Sequence, residues 1–130
     1  TGLSCATELA NLSRPTVMLP GGKLNRYSQS VFGFSAIREL QDVNFHQAFL
    51  GITGYHAAAG FSCGIRDEAI LKQTAARQSD QVIVLMDSSK IGVKCSFHIC
   101  GLQDIDIIVS DGMLPEEFLM QCRRNQVEVL

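Results

Sequence analysis

Residues 81–86, QVIVLM, form an almost unbroken run of β-branched and long aliphatic side chains. A strand with one solvated face alternates apolar and polar residues, so a continuous apolar run marks a strand covered on both sides. That is the situation of a parallel sheet with helices packed over it. The run ends directly in Asp87-Ser88-Ser89-Lys90, which places four polar side chains where such a strand would terminate. Parallel strands cannot be joined by tight hairpins and need crossover connections, usually helices, so this one segment predicts an α/β fold.

The neighbouring segments are consistent with strands and helices taking turns. Residues 16–19 read as a strand closed by Pro20-Gly21-Gly22, and residues 23–29 as an exposed polar loop. Residues 31–40 carry apolar side chains at helical spacing. Residues 44–52, NFHQAFLGI, read as a strand entering a glycine-bearing turn at Thr53-Gly54-Tyr55, and residues 57–63 as a small-residue, flexible stretch. The clearest helix covers residues 67–77, with Ile65, Ala69, Leu71 or Lys72, and Ala76 on one side and no proline inside. Residues 94–99 and 105–109 read as two more strands, the second closed by Ser110-Asp111-Gly112. Residues 115–123 read as a short helix with Pro115 near its first turn, where a missing N–H costs nothing, and with Glu116 and Glu117 at the positive end of its dipole. Residues 126–130 read as a final strand. No repeat, low-complexity tract or linker interrupts this series, so it predicts one α/β domain.

Composition excludes several classes of function. In 130 residues, 46% are hydrophobic and 18% charged, enough apolar surface for one core and incompatible with disorder. A formal net charge of −2 leaves no basic stripe for neutralising phosphates, so this segment is not expected to bind DNA or RNA by itself. No apolar run approaches the roughly 18 to 20 residues that span a bilayer, and no basic start precedes an apolar h-region, so no membrane association is expected. The chain opens at Thr1 rather than Met, from which a processed product or a fragment is expected. Five cysteines, Cys5, Cys63, Cys95, Cys100 and Cys122, are odd in number and contain no C-x-x-C pair, which argues against a disulfide framework and for a reducing cytosol. Cys95 and Cys100, in KCSFHIC, read as buried thiols; His98 between them would complete a zinc site only with a ligand brought from far away.

Ligands of open parallel sheets collect outside the carboxyl ends of the strands. That rule selects Gly21 and Gly22, the segment from Gly51 through Thr53, Gly54 and Tyr55 to His56, the segment from Asp87 to Lys90, and Ser110 to Gly112. Glycines there let backbone N–H groups approach an anion, although a bare GG pair is more often a simple turn. Lys90 follows two serines and would present an ammonium beside two hydroxyl donors; alternatively the segment is a capping motif with Asp87 or Ser88 as N-cap and a solvated lysine. Glu68 and Lys72 form an i,i+4 pair that is either a surface ion pair or a carboxylate aimed into the site from the start of a helix.

Read in order, these positions resemble the effector-binding part of the DeoR family of bacterial sugar-operon repressors. The resemblance is carried by Thr1-Gly2, by VMLPGG with the basic loop containing Arg26, by Gly33 opening a helix, and by AFLGITG at residues 48–54. It continues through Gly60, Glu68-Ala69 with Lys72, VLMDSSKIG at residues 84–92 and IDIIVSD at residues 105–111, and so covers nearly the whole chain. It implies a mostly parallel sheet flanked by helices, like that of ribose 5-phosphate isomerase and CoA transferases, lacking its first strand-helix unit. It also implies an effector-binding domain over residues 1–130 that takes a phosphorylated sugar and thereby modulates operator binding, and that forms a homo-oligomer in the cytoplasm. The effector residues it implies are Gly21, Gly22, Arg26, Gly51, Thr53, Gly54, Tyr55, Glu68, Lys72, Asp87 and Lys90, with no cofactor and no metal. Operator DNA would be contacted only through an N-terminal winged helix-turn-helix, which these residues do not include.

Departures from the family pattern bear on chemistry. The isomerase relatives resemble one another in placing acidic residues in the turn that corresponds here to residues 51–56, yet this chain has Gly54-Tyr55-His56 with no Asp or Glu. Enediol chemistry needs a carboxylate base near the sugar carbon. Glu68 aligns with a retained carboxylate and Lys90 with a sugar-contacting lysine, so the expected site is a receptor. A sugar phosphate isomerase or related transferase using Glu68 and Lys90 is the alternative. Gly2 stands where Asn is usual, and His56 where an acidic residue is frequent. A D-G-[GS]-T-T-like loop, similar to the phosphate-binding loop of the isomerase, is also absent from these residues, so whatever cradles the phosphate in full-length relatives is expected to lie outside them.

Overall fold

A computed structural model of the chain describes residues 1–12 and 14–130. Its centre is a four-stranded, all-parallel sheet in the order β3-β6-β8-β9, with β3 at Phe45–Gly51, β6 at Ser79–Leu85, β8 at Ile107–Val109 and β9 at Glu128–Val129. The aliphatic run that predicted this sheet supplies its second strand. Register aligns Leu50 with Val84, Val84 with Ile108 and Ile108 with Val129, so one face of the sheet is a continuous apolar row.

Against that face pack helix α3 (Arg66–Arg77) through Ala69, Ala75 and Ala76, and helix α4 (Glu116–Arg124) through Phe118 and Cys122. A second, antiparallel sheet in the order β4-β5-β7 closes the same core; its strands are Gly54–His56, Gly60–Cys63 and Phe97–Cys100. Tyr55 stacks at 4.8 Å on Phe61 and at 4.7 Å on Phe118, joining this sheet to α4. The opposite face of the parallel sheet carries the alternate residues, and there Phe49, Leu85 and Val109 are 62%, 43% and 38% exposed. Within QVIVLM the residues Val82, Ile83, Val84 and Met86 are buried, but Leu85, at the carboxyl end of β6, is 43% exposed.

A smaller satellite core sits at the start of the chain. The hairpin of β1 (Lys23–Asn25) and β2 (Ser30–Phe32) is followed by α2 (Phe34–Gln41), and Val31 and Ala36 close on Leu71 of α3. Helix α1 (Leu3–Ala10) joins this cluster through Leu3.

Several sequence expectations are corrected. Residues 16–19 form no strand: they pair with no neighbour, and Met18 is 86% exposed. Residues 23–29 are not simply a loop, because the Asn25 side chain accepts the N–H groups of Tyr27 and Ser28 and turns β1 back onto β2. The helical pattern over residues 31–40 is split, since Val31 and Phe32 belong to β2 and Gly33, at φ 104°, starts α2. The stretch 57–63 and the turn at Gly54-Tyr55 become a β4–β5 hairpin with Phe61, Ser62 and Cys63 buried. The strand expected at residues 94–99 is confined to Phe97–Cys100 and pairs antiparallel with β5, outside the parallel sheet. Pro115 stands one residue before α4 rather than in its first turn, and Cys95 is only half-buried.

Candidate functional site

Parallel register brings the ends of three strands together. Gly51 pairs with Leu85 and Leu85 with Val109, so the loops after β3, β6 and β8 leave the sheet side by side. The loop after β6 is a single 3-10 turn, Ser88–Lys90. Asp87 is its N-cap and accepts the Ser89 N–H at 2.9 Å and the Ser89 hydroxyl, while its other oxygen lies 3.5 Å from Lys90 Nζ. Of the two sequence readings of this segment, the capping motif describes its geometry, and the Lys90 side chain is 34% exposed.

The loop after β8 supplies a second carboxylate. Asp111 accepts the Ser88 N–H at 3.2 Å, the Ser88 hydroxyl at 2.9 Å and the Met113 N–H at 3.2 Å. Hydrogen bonds from the main chain of Ser88 and Met113 hold its carboxyl below the usual carboxylate range. The hydroxyl of Ser89 holds the Asp87 carboxyl down in the same sense. Each serine hydroxyl thus donates to a carboxylate of the protein, which leaves the ammonium of Lys90 as the partly exposed cation of this turn.

A second group lies between β3 and α3. Lys72 Nζ sits 2.5 Å from Glu68 Oε1, with only 17% and 18% of the two side chains exposed. This is neither a solvated surface pair nor a free carboxylate. Lys72 and Gly51 line one cleft of about 310 Å³, together with Gln47 and Leu71. One turn towards the start of the helix, Asp67 meets Lys23 of β1 at 3.9 Å and ties the hairpin to α3.

The other predicted residues are placed differently. The Gly21 N–H is taken by Glu39 Oε1 at 3.1 Å, so the protein's own carboxylate occupies the donor that an anion would use. At Gly22 a side chain is excluded, since a Cβ would come 2.6 Å from the Phe32 carbonyl oxygen. Arg26 lies exposed in the β1–β2 turn. The Thr53 N–H donates to the Ser62 carbonyl at 3.1 Å, and Gly54 lets the Val93 carbonyl approach to where a Cβ would sit at 2.5 Å. Tyr55 is 5% exposed, with its hydroxyl donating to Gln121 Oε1 at 2.9 Å, so its ring belongs to the core. The fold brings Gly51 and Lys72 to one cleft, with Glu68 paired to Lys72 but not lining it, and Asp87 and Lys90 to one turn; Gly21, Gly22, Arg26 and Tyr55 join neither group.

Asp111 fell within the strand-end segment Ser110 to Gly112 but was not among the expected effector residues, and Ser62 escaped the sequence reading altogether. Ser62, 1% exposed, donates to the Gly54 carbonyl and accepts the Cys95 N–H at 3.0 Å, which pins the chain that follows Lys90 beneath the β4–β5 hairpin. Burial raises the thiol pKa of Cys63 and Cys122 and pushes that of Cys100 up to about 12, so all three stay protonated and act as small hydrophobes. His98 Nδ1 lies 2.9 Å from the Ala59 carbonyl oxygen. Among the described residues, no group of three or more His, Cys, Asp or Glu could hold a metal ion, no buried side-chain polar atom lacks a partner, and no helix is long and apolar enough to cross a membrane.

A parallel sheet flanked by helices, with polar loops gathered at its carboxyl ends, defines an α/β domain of the class whose ligands collect at that edge. Residues 1–112 match the family described as the DeoR C terminal sensor domain, and the chain belongs to that family. It is 33% identical over 129 residues to a putative aga operon transcriptional repressor of Escherichia coli O157:H7, covering 99% of this chain and 48% of that protein. It is 32% identical over 127 residues to the uncharacterized HTH-type transcriptional regulator YulB of Bacillus subtilis, and 27% identical over 128 residues to the HTH-type transcriptional repressor GlcR of the same organism. These matches cover 98% of this chain and 49% of each relative. The chain therefore spans about half the length of these relatives.

Proposed function

We propose that this domain senses a phosphorylated sugar and that the ligand alters the operator affinity of the repressor that carries it. The observation that carries the reading is the Lys90 turn: in a DeoR sensor domain, a capped turn at the end of a buried parallel strand holds a partly exposed ammonium beside the loops after β3 and β8. Charge-assisted donors of this kind suit phosphate and sugar oxygens. Gly51, with Glu68 and Lys72 at the neighbouring cleft, would contact the sugar, and Thr53 and Asp87 would border it. Effector binding changes repression only through its differential affinity for the two states of the regulator.

Operator contact is assigned to a helix-turn-helix module elsewhere in the protein, in keeping with the HTH-type names of the relatives and with the net charge of −2 here. A receptor is favoured over an isomerase because Glu68 is already engaged by Lys72 and, among the described residues, no carboxylate lines the cleft that Lys72 and Gly51 share. Homo-oligomer formation is supported by Phe49, Leu85 and Val109, exposed apolar side chains on one face of the sheet of the kind that a second protein surface covers. A reducing cytoplasm suits the three protonated, buried thiols. The test is a thermal-shift screen of the full-length protein against sugar phosphates, with Lys90→Ala as the control.

A further inference from the structure

Lys90 is held from two different strand ends. Asp87, two residues after β6, caps the turn through Ser89, and Asp111, two residues after β8, grips it through Ser88. The two clamps are not equivalent. Asp87 belongs to the turn itself and moves with it, whereas Asp111 lies 23 residues beyond Ser88, in the loop after a different strand. Besides the neighbouring Ser110 hydroxyl, it accepts the N–H and hydroxyl of Ser88 and the Met113 N–H, which makes the turn and the start of the segment leading to α4 one mechanical unit. The first turn bonds, from Lys90 N–H to the Asp87 carbonyl and from Ile91 N–H to the Ser88 carbonyl, are 3.1 and 3.2 Å long and close only a single turn. Such a turn has little stability of its own, since an isolated hydrogen-bonded turn fixes several dihedral angles for one bond.

The geometry points to Asp111 as the positioning residue for Lys90: it holds Ser88 in register with β8, and so fixes where the ammonium is offered. The role in effector recognition rests on the function proposed above; the positioning does not. Asp111 never touches the effector in this account. It acts by keeping the turn formed in the unliganded state, so that the ligand does not have to order it. Both serines are likewise positioning groups, with their hydroxyls directed at protein carboxylates.

The test uses the full-length protein in four forms: wild type, Asp111→Ala, Asp111→Asn and Lys90→Ala. Amide hydrogen exchange over residues 88–91 reads the turn directly, and exchange over β3 and β6 reads the sheet. Positioning predicts that Asp111→Ala speeds exchange of residues 88–91 by about tenfold or more while β3 and β6 keep their protection. Asp111→Asn, which retains an acceptor for the Ser88 N–H, recovers most of that loss. Unchanged protection at residues 88–91 in Asp111→Ala, or a loss spread equally over β3 and β6, overturns the proposal. In parallel, the sugar phosphate that raises the wild-type melting temperature is titrated, and its half-saturation is expected to rise about tenfold in Asp111→Ala, with partial rescue in Asp111→Asn. An Asp111→Ala half-saturation equal to wild type, alongside a deprotected turn, removes the role in recognition. If no sugar phosphate shifts the wild type, the function proposed above fails, and the exchange data still decide whether Asp111 positions the turn.

Discussion

Lys72 Nζ lies 2.5 Å from Glu68 Oε1 on the same face of α3, and less than a fifth of either side chain is exposed. A pair this sheltered differs from the surface i,i+4 pairs that stabilise helices by only tenths of a kcal/mol. Removing one partner strands the other charge in a partly desolvated place. Glu68→Gln is expected to destabilise the protein by about 1 to 3 kcal/mol, with a smaller loss in the double variant Glu68→Gln/Lys72→Met. Urea unfolding of the three proteins checks this, and equal losses in the single and double variants would show that the ion pair is not what the helix relies on.

Tyr55 stands at a strand end but faces the core, with its hydroxyl on Gln121 and its ring between Phe61 and Phe118. Tyr55→Phe keeps the ring packing and removes one hydrogen bond, so a loss of about 1 kcal/mol is expected. The response to effector should be unchanged. A weakened response at full stability would return Tyr55 to the binding site.

Asp87 and Asp111 both titrate below the ordinary carboxyl value of 3.8, through the donors of Ser89 and Ser88 respectively. A depressed folded value means that the folded chain binds fewer protons than the unfolded chain as pH falls. Their contribution to stability is therefore fully present above about pH 4 and is lost as pH drops through the folded values. Urea midpoints measured across the acid range should fall less steeply in Asp87→Asn/Asp111→Asn than in wild type. Parallel acid limbs would mean that the two clamps do not persist in solution.

Phe49, Leu85 and Val109 leave one side of the parallel sheet apolar and exposed. If this face assembles copies of the protein, Phe49→Glu should shift sedimentation of the full-length protein toward the monomer without changing its effector-free hydrogen-exchange pattern in β6. Unchanged sedimentation would assign the assembly to another surface.

What the sequence disclosed depended on whether the determining contacts were local. The QVIVLM run and the helix around Ala69 and Leu71 were legible because burial on a parallel sheet and on one helical face are written in consecutive residues. The β4–β5 hairpin was not, because its second strand is anchored on Phe97–Cys100, more than thirty residues away, and β4 joins the sheet through that strand. Residues 16–19 failed for the reverse reason: TVML has strand composition, but no neighbour pairs with it. The candidate site was read from strand ends, which located Lys90 and Gly51 correctly at the carboxyl edge. The same rule assigned Tyr55 to the ligand, although its ring packs inward on Phe61 and Phe118, two residues that nothing local to Tyr55 announces. Asp111 could be seen as a residue but not as a clamp, since nothing local to IDIIVSD announces a bond to Ser88.

The most direct test of the central claim is the change in melting temperature of the full-length protein across a panel of sugar phosphates, run beside Lys90→Ala. At least one sugar phosphate is expected to raise the melting temperature of the wild type, and Lys90→Ala to abolish or strongly reduce the shift, as for a charge-assisted contact of about 1.5 to 3 kcal/mol. A flat wild-type response across the panel, or a shift that survives intact in Lys90→Ala, would contradict that claim.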